Sequence, residues 1–170
     1  MGISLTTPGA VGTDGNLLIL AAPKTAFANY PKVIVTDLSA AATKDITYSL
    51  TTSGFNNGIS EESVTDERLT LAAVLAQPGR VTETLELQYV YGTAGDVCDP
   101  LFVKGLDFVF AVRRAVPHDQ PIAAGDKFDF LVAKSGVKRP DPEAANAKFT
   151  KTQAFYPQAA SQRDIVITAA

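Results

Sequence analysis

Few residues of this 170-residue chain could do chemistry, and none stands in a recognisable constellation. The single histidine, His118, follows Pro117 in a proline-rich connection, and the single cysteine, Cys98, has no motif around it. A general base needs a group that orients it, and a nucleophilic thiol needs a base or a positive neighbour. His118 therefore reads as a solvated loop histidine and Cys98 as a small, half-buried hydrophobe. One cysteine forms no intrachain disulfide, and a reducing compartment suits it best. Metal sites built on His and Cys lack donors. The acidic set Glu61, Glu62, Asp66 and Glu67 is the remaining place for a hard cation, but its spacing matches no calcium loop, so it reads as a solvated hairpin face. Glu83 and Glu86 are carboxylates a glycosidase would need, without a pocket that the sequence defines. Gly9, Gly12 and Gly15 form a glycine series that follows no strand and lacks the lysine of a phosphate loop. Arg113 and Arg114 fall on opposite faces of a strand, so at most one meets a ligand or partner. The expectation is a protein that is not an enzyme, with no catalytic, cofactor-binding or metal-binding residue and no cofactor.

The elements that would position these residues are strands. Twelve glycines and ten prolines punctuate short apolar runs, and long helical periodicity is absent. The net charge of −3, with both signs interspersed, leaves no basic footprint for nucleic-acid phosphates. The length suits one domain, residues 1–170. No Lys or Arg precedes Lys24, and the apolar run Leu17 to Ala22 ends at Pro23; neither a signal peptide nor a membrane span is expected.

The centre of the chain runs from Arg80 to Arg139 and predicts three successive strands. Leu85, Leu87, Tyr89 and Tyr91 alternate with Thr84, Glu86, Gln88 and Val90, the period of a strand with one buried face. Leu106, Phe108, Phe110, Val112 and Val116 oppose Val109 and Ala111, so the second strand is apolar on both faces in its middle and central. Phe128, Phe130 and Val132 oppose Lys127, Asp129, Leu131 and Ala133 in the third. Between the first two, Asp99, Pro100 and Gly105 predict a short helix with Asp99 as its cap; Asp141-Pro142 predicts another before EAAN.

Outside this centre, residues 1–16 read as an N-terminal arm, and Leu17 to Leu20 and Lys32 to Leu38 (KVIVTDL) as strands. Residues 45–71 read as a projecting hairpin: a strand at Asp45 to Thr52 (DITYSLTT), a flexible loop at Ser53 to Ser60 (SGFNNGIS), and a returning strand at Ser63 to Leu71. Gln77-Pro78-Gly79 reads as a turn. Lys148 to Tyr156 and Arg163 to Ala169 supply the last two strands. The fold class is all-β, a sandwich or barrel of two steeply packed antiparallel sheets with one short flanking helix.

The run VRRAVPHDQPIAAGDKFDFLVAKSGVKRPDPEAANAKFTKTQAFYPQAASQRDIVITA resembles the C-terminal part of major tail tube proteins of long-tailed bacteriophages. It carries a V-R-R strand, an A-A-G-D turn, a strand ending in a proline-rich bend, and a closing strand similar to D-V-x-V. SLTTSGFNN, DERLTLA, and QPGR followed by ELQYVYG are similar to the middle of the same proteins, in matching order; the likeness thins over residues 1–30. The resemblance implies a virion protein, assembled in the host cytoplasm, whose copies close into hexameric rings that stack into a hollow tube. It also implies partners: further copies of itself, a tape measure protein, and tail terminator or baseplate proteins. Genomic DNA would pass through the lumen without specific binding, and no membrane is involved. A carbohydrate-binding β-sandwich is the alternative, disfavoured by the lack of Trp and the low aromatic content.

Two surfaces follow from that resemblance. A lumen that DNA slides through should be neutral or acidic, because phosphate contacts would add over every ring. Thr82, Thr84, Glu86 and Gln88, on the polar face of the Arg80 to Tyr91 strand, are expected to line it, with Glu67 next. The loop residues Gly54, Phe55, Asn56, Asn57 and Gly58 are expected to contact the next ring, with Phe55 as anchor.

Overall fold

The structure, a computed structural model, describes residues 9–27, 30–66 and 75–169. The first half of the expected arm, Glu67 and the hairpin tip lie outside the described residues. Among the described residues eight strands dominate: β1 (Leu17–Pro23), β2 (Lys44–Asp45), β3 (Leu50–Asp66), β4 (Leu75–Val90), β5 (Asp107–Arg114), β6 (Lys127–Pro140), β7 (Thr150–Pro157) and β8 (Gln162–Val166). Two four-residue helices accompany them, α1 (Val35–Leu38) and α2 (Cys98–Leu101). The all-β class is the observed one. The strands hydrogen-bond in the order β2-β1-β5-β6-β7-β4-β3, with β8 on β6. The chain forms two compact units, one from the segment ending at Thr47 with Val109–Phe130 and the C-terminal segment from Gln162, the other from Tyr48–Phe108 and Leu131–Ser161. β5 and β6 contribute residues to both.

In the first unit the core is built from consecutive apolar residues. Leu18 to Ala22 of β1 and Val109 to Val112 of β5 are all buried, as a strand covered on both faces demands. Arg113 continues this run and is itself fully buried. Its guanidinium donates to Asp126 Oδ2 at 2.8 Å and to the carbonyls of Gln120 at 2.7 Å and Pro117 at 3.1 Å, and it lies 6.0 Å from the Phe128 ring centre. A buried cation is tolerated only when paired and hydrogen-bonded, and here it draws the 115–126 connection around itself. Arg114, on the opposite face, is exposed and pairs with Asp129.

Two expectations are corrected in this unit. KVIVTDL is not a strand: Val35–Leu38 is helical. The Asp37 carboxylate accepts from the Ile34 N–H at 3.2 Å, and the Val35 N–H bonds the Thr168 carbonyl, so local capping and one tertiary bond override the β-branched residues. DITYSLTT is not one strand either, because β2 ends at Asp45 and Thr47–Ser49 is a short 3-10 turn. Asp45 Oδ1 accepts from both the Thr47 N–H and hydroxyl at 2.9 and 2.7 Å, closing a local turn that breaks the alternation and leaves Tyr48 76% exposed.

In the second unit Leu85, Leu87 and Tyr89 form a buried face, as the alternation predicts. Phe102 sits edge-on to Phe108 and Phe155, with ring centres 5.2 and 5.0 Å away. The buried Gln153 accepts from the Tyr89 hydroxyl at 3.1 Å and donates to the Gly136 carbonyl at 3.0 Å, so this buried polar side chain is satisfied on both ends. The short helix exists, but Asp99 does not cap it. Residue 97 is the cap position, and the Asp99 carboxylate instead accepts from Lys151 at 2.8 Å and Lys138 at 3.1 Å. Lys151 also lies 4.1 Å over the Tyr91 ring. The sequence EAAN forms no helix, because Asp141 turns its carboxylate to β4 and β7 and leaves the chain uncapped.

Arg113→Ala should cost about 3 to 5 kcal/mol, since it strands Asp126 and two carbonyls around an emptied space. Urea denaturation followed by circular dichroism checks this, and a loss under about 1 kcal/mol, the range of an exposed pair, would show that the clamp does not hold the connection.

Candidate assembly surface

β3 and β4 pair along nearly their whole length, from Leu50 with Tyr89 to Asp66 with Leu75. The hairpin expected over residues 45–71 is therefore Leu50–Asp66 with Leu75–Val90, and its turn lies outside the described residues. The flexible loop at Ser53 to Ser60 is corrected, since these residues are strand. Their glycines serve close approach. A Cβ on Gly54 would fall 2.2 Å from the Gln88 carbonyl oxygen, and one on Gly58 would fall 2.7 Å from Thr84 Oγ1. Phe55 stands opposite Leu87, half-buried, and is no loop tip. The turn expected at Gln77-Pro78-Gly79 is likewise strand. The register shifts between Glu61 and Ser63, so that Gly79 and Arg80 form a bulge opposite Glu62 while Pro78 pairs with Ser63 beside it; a Cβ on Gly79 would fall 2.7 Å from the Glu62 carbonyl, so the bulge needs a missing side chain there.

The register sorts the two faces of the hairpin. Asn56, Gly58 and Ser60 stand opposite Glu86, Thr84 and Thr82, and Gln88 continues the row toward Thr152 of β7. The four expected lumen residues Thr82, Thr84, Glu86 and Gln88 thus share one polar face; Glu67 is outside the described residues. Gln88 is the fixed member. Its Oε1 accepts from the Thr51 hydroxyl at 2.7 Å, and its Nε2 donates to Asp141 Oδ2 at 2.9 Å, while Thr152 donates to Asp141 Oδ1 at 2.6 Å. Arg139 brings a cation to this face, 3.7 Å from Glu86. The other face carries Leu85 and Leu87 into the core and then Ile59 and Val81 into solvent, 47% and 52% exposed.

β3 ends the strand order, so among the described strands only β4 pairs with it. Seventeen residues of backbone present their second side unpaired. Nothing in the chain's residue pattern announced this edge, because glycine and asparagine in SGFNNGIS read as loop.

The residues that could do chemistry are committed elsewhere. His118 Nε2 lies 2.7 Å from Asp45 Oδ2. Cys98 is buried, and desolvation pushes its thiol up to about 12. Glu83 accepts from the Ser161 hydroxyl at 2.6 Å and from its N–H at 3.2 Å. Glu61 and Glu62 are exposed on β3. Among the described residues no three His, Cys, Asp or Glu gather as metal donors, and no helix is long and apolar enough to cross a membrane.

Paired strands with one long open rim define the class, an all-β protein in which polar side chains such as Gln88, Asp141 and Thr152 tie strands together. A chain in the cryo-EM structure of the anti-feeding prophage baseplate, 6-fold symmetrised, shares the fold with a TM-score of 0.55 at 12% identity, over 92% of this chain and 96% of that one. The chain belongs to the phage tail tube protein family, whose profile matches residues 5–170. The match therefore extends through the N-terminal stretch in which the likeness was expected to thin. It is a structural tail protein and a virion component. No curated protein sequence matches it.

The Asp141 carboxyl is held below the usual carboxylate range: burial works against its ionisation, but hydrogen bonds from Thr152, Thr150 and Gln88 outweigh that. A depressed carboxylate contributes stability that is present above its unfolded pKa, about 3.9, and is lost as pH falls through the folded value. Carboxyl-carbon NMR should show Asp141 titrating below the free range. Asp141→Asn should flatten the acid-side loss of stability, and an unchanged acid profile would refute the role of this group.

Proposed function

We propose that the chain acts as one tail tube domain, residues 1–170, whose copies close into rings of six and stack into the hollow tube that conducts genomic DNA into the host. The observation that carries this reading is the open edge of β3. Seventeen residues of unpaired backbone invite pairing with another chain, and a closed ring of copies removes such edges at no cost in side-chain design. The six-fold symmetry of the baseplate that holds the structural neighbour supports the ring number. Gly54, Phe55, Asn56, Asn57 and Gly58 belong to this edge, so in this reading they meet a neighbouring copy through a strand and not through a mobile tip. The arm, residues 1–16, is a second element for contact between rings. Assembly takes place in the host cytoplasm, with a tape measure protein inside the tube and terminator or baseplate proteins at its ends. The protein has no catalytic role in this scheme.

The polar face with Thr82, Thr84, Glu86 and Gln88, and Glu67 beyond it, lines the lumen. Arg139, a cation of this face, stands beside Glu86, which limits the phosphate drag that unpaired cations would accumulate over many rings.

Concentrated protein imaged by negative-stain electron microscopy should show rings or tubes. Protein that stays monomeric across all salt and protein concentrations removes the assembly reading. Glu86→Cys then tests the lumen, because Cys98 is the only native cysteine and its buried, high-pKa thiol stays silent. A small maleimide should label Glu86→Cys in tubes, whereas a maleimide on a nanometre-sized gold particle should label separated subunits only. Gold decorating the outside of intact tubes would place this face elsewhere.

A further inference from the structure

In the first unit a cleft of about 630 Å³ opens between the end of β5, the start of β6 and β8. We propose that this cleft receives the acidic Glu61–Glu62 segment of β3 from a second copy of the chain, an inference that rests on the assembly reading above. The cleft is lined by Arg114, Lys127 and Arg163 together with Asp129 and Asp164. Asp129 is already occupied: its Oδ2 pairs with Arg114, and its Oδ1 accepts from the Asp164 N–H at 2.9 Å. The side chains of Lys127 and Arg163 make no hydrogen bond or ion pair among the described residues, so the cleft holds two uncommitted cations against one free carboxylate, Asp164. Its backbone is also unusual. Ala115 and Asp164 both line the cleft and both sit in the left-handed region, at φ of 62° and 52°. A left-handed alanine gains nothing locally, and such conformations gather at binding sites where the surroundings hold them.

The occupant is argued from charge and exposure. Glu61 and Glu62 stand exposed on the rim strand at the register shift, with no cationic partner among the described residues. Successive residues of a strand face opposite ways, so one of these carboxylates enters the concave site between the two cations while the other stays at its rim, and facing potentials of opposite sign both steer docking and fix register.

Charge reversal on each side tests the pairing. Lys127→Glu with Arg163→Glu, and separately Glu61→Lys with Glu62→Lys, should each raise the protein concentration needed for assembly about tenfold at low salt, while leaving thermal unfolding of the subunit unchanged. Combining all four reversals in one chain should restore assembly toward the parent level, and raised salt should shrink every difference. The proposal is overturned if the basic-side variant assembles like the parent, or if the fourfold variant assembles no better than either half. It is also overturned if the basic-side variant loses only retention of duplex DNA, which would make the cleft a phosphate contact. A parent that never assembles overturns this proposal and the assembly reading together, whereas an assembling parent with indifferent variants overturns this proposal alone.

Discussion

Every backbone N–H and C=O of a strand needs a partner, and β3 satisfies that need on one side only. The requirement explains much of the surrounding design. β4 runs nearly the full length of β3, and Gly54 and Gly58 remove side chains where the two strands press closest. A bulge opposite Glu62 absorbs Gly79 and Arg80 without ending the pairing. The far side of β3 remains a template for another chain, which a protein that works alone would blunt.

Within each unit a buried polar side chain fixes what apolar packing leaves free. Hydrophobic burial is non-directional, so it holds strands together without choosing where a connection lies. Arg113 makes that choice in the first unit by binding two carbonyls and Asp126 at once. Gln153 makes it in the second, where its amide joins the Tyr89 hydroxyl to the Gly136 carbonyl beside the Phe102 cluster. Both side chains are fully buried, and in both a substitution that keeps size but loses donors leaves partners unsatisfied.

The strands with strict alternation or continuous apolar character were legible: β4 from Leu85 to Tyr89, β5 from Phe108 to Val112, β6 from Phe128 to Ala133. The order of short motifs from V-R-R to the closing strand was legible too, and the family match bears it out. Where local signals competed, reading failed. Glycine and asparagine in SGFNNGIS carry the same letters whether they grant flexibility or close approach, and only the Gln88 carbonyl beside Gly54 distinguishes them. Asp99 and Asp141 each stood before a proline as a helix cap would, yet both spend their carboxylates on residues 11 to 53 positions away.

By itself the sequence determined the all-β class, the central strands and the family, because these rest on periodicity and on the order of segments along the chain. The tertiary structure alone decided that β3 is a long rim strand, that Arg113 is buried while Arg114 is exposed, and that Arg114, Lys127 and Arg163 share one cleft. Each of these depends on which distant backbone lies alongside, and a one-dimensional pattern does not encode the far partner of a hydrogen bond or of a charge.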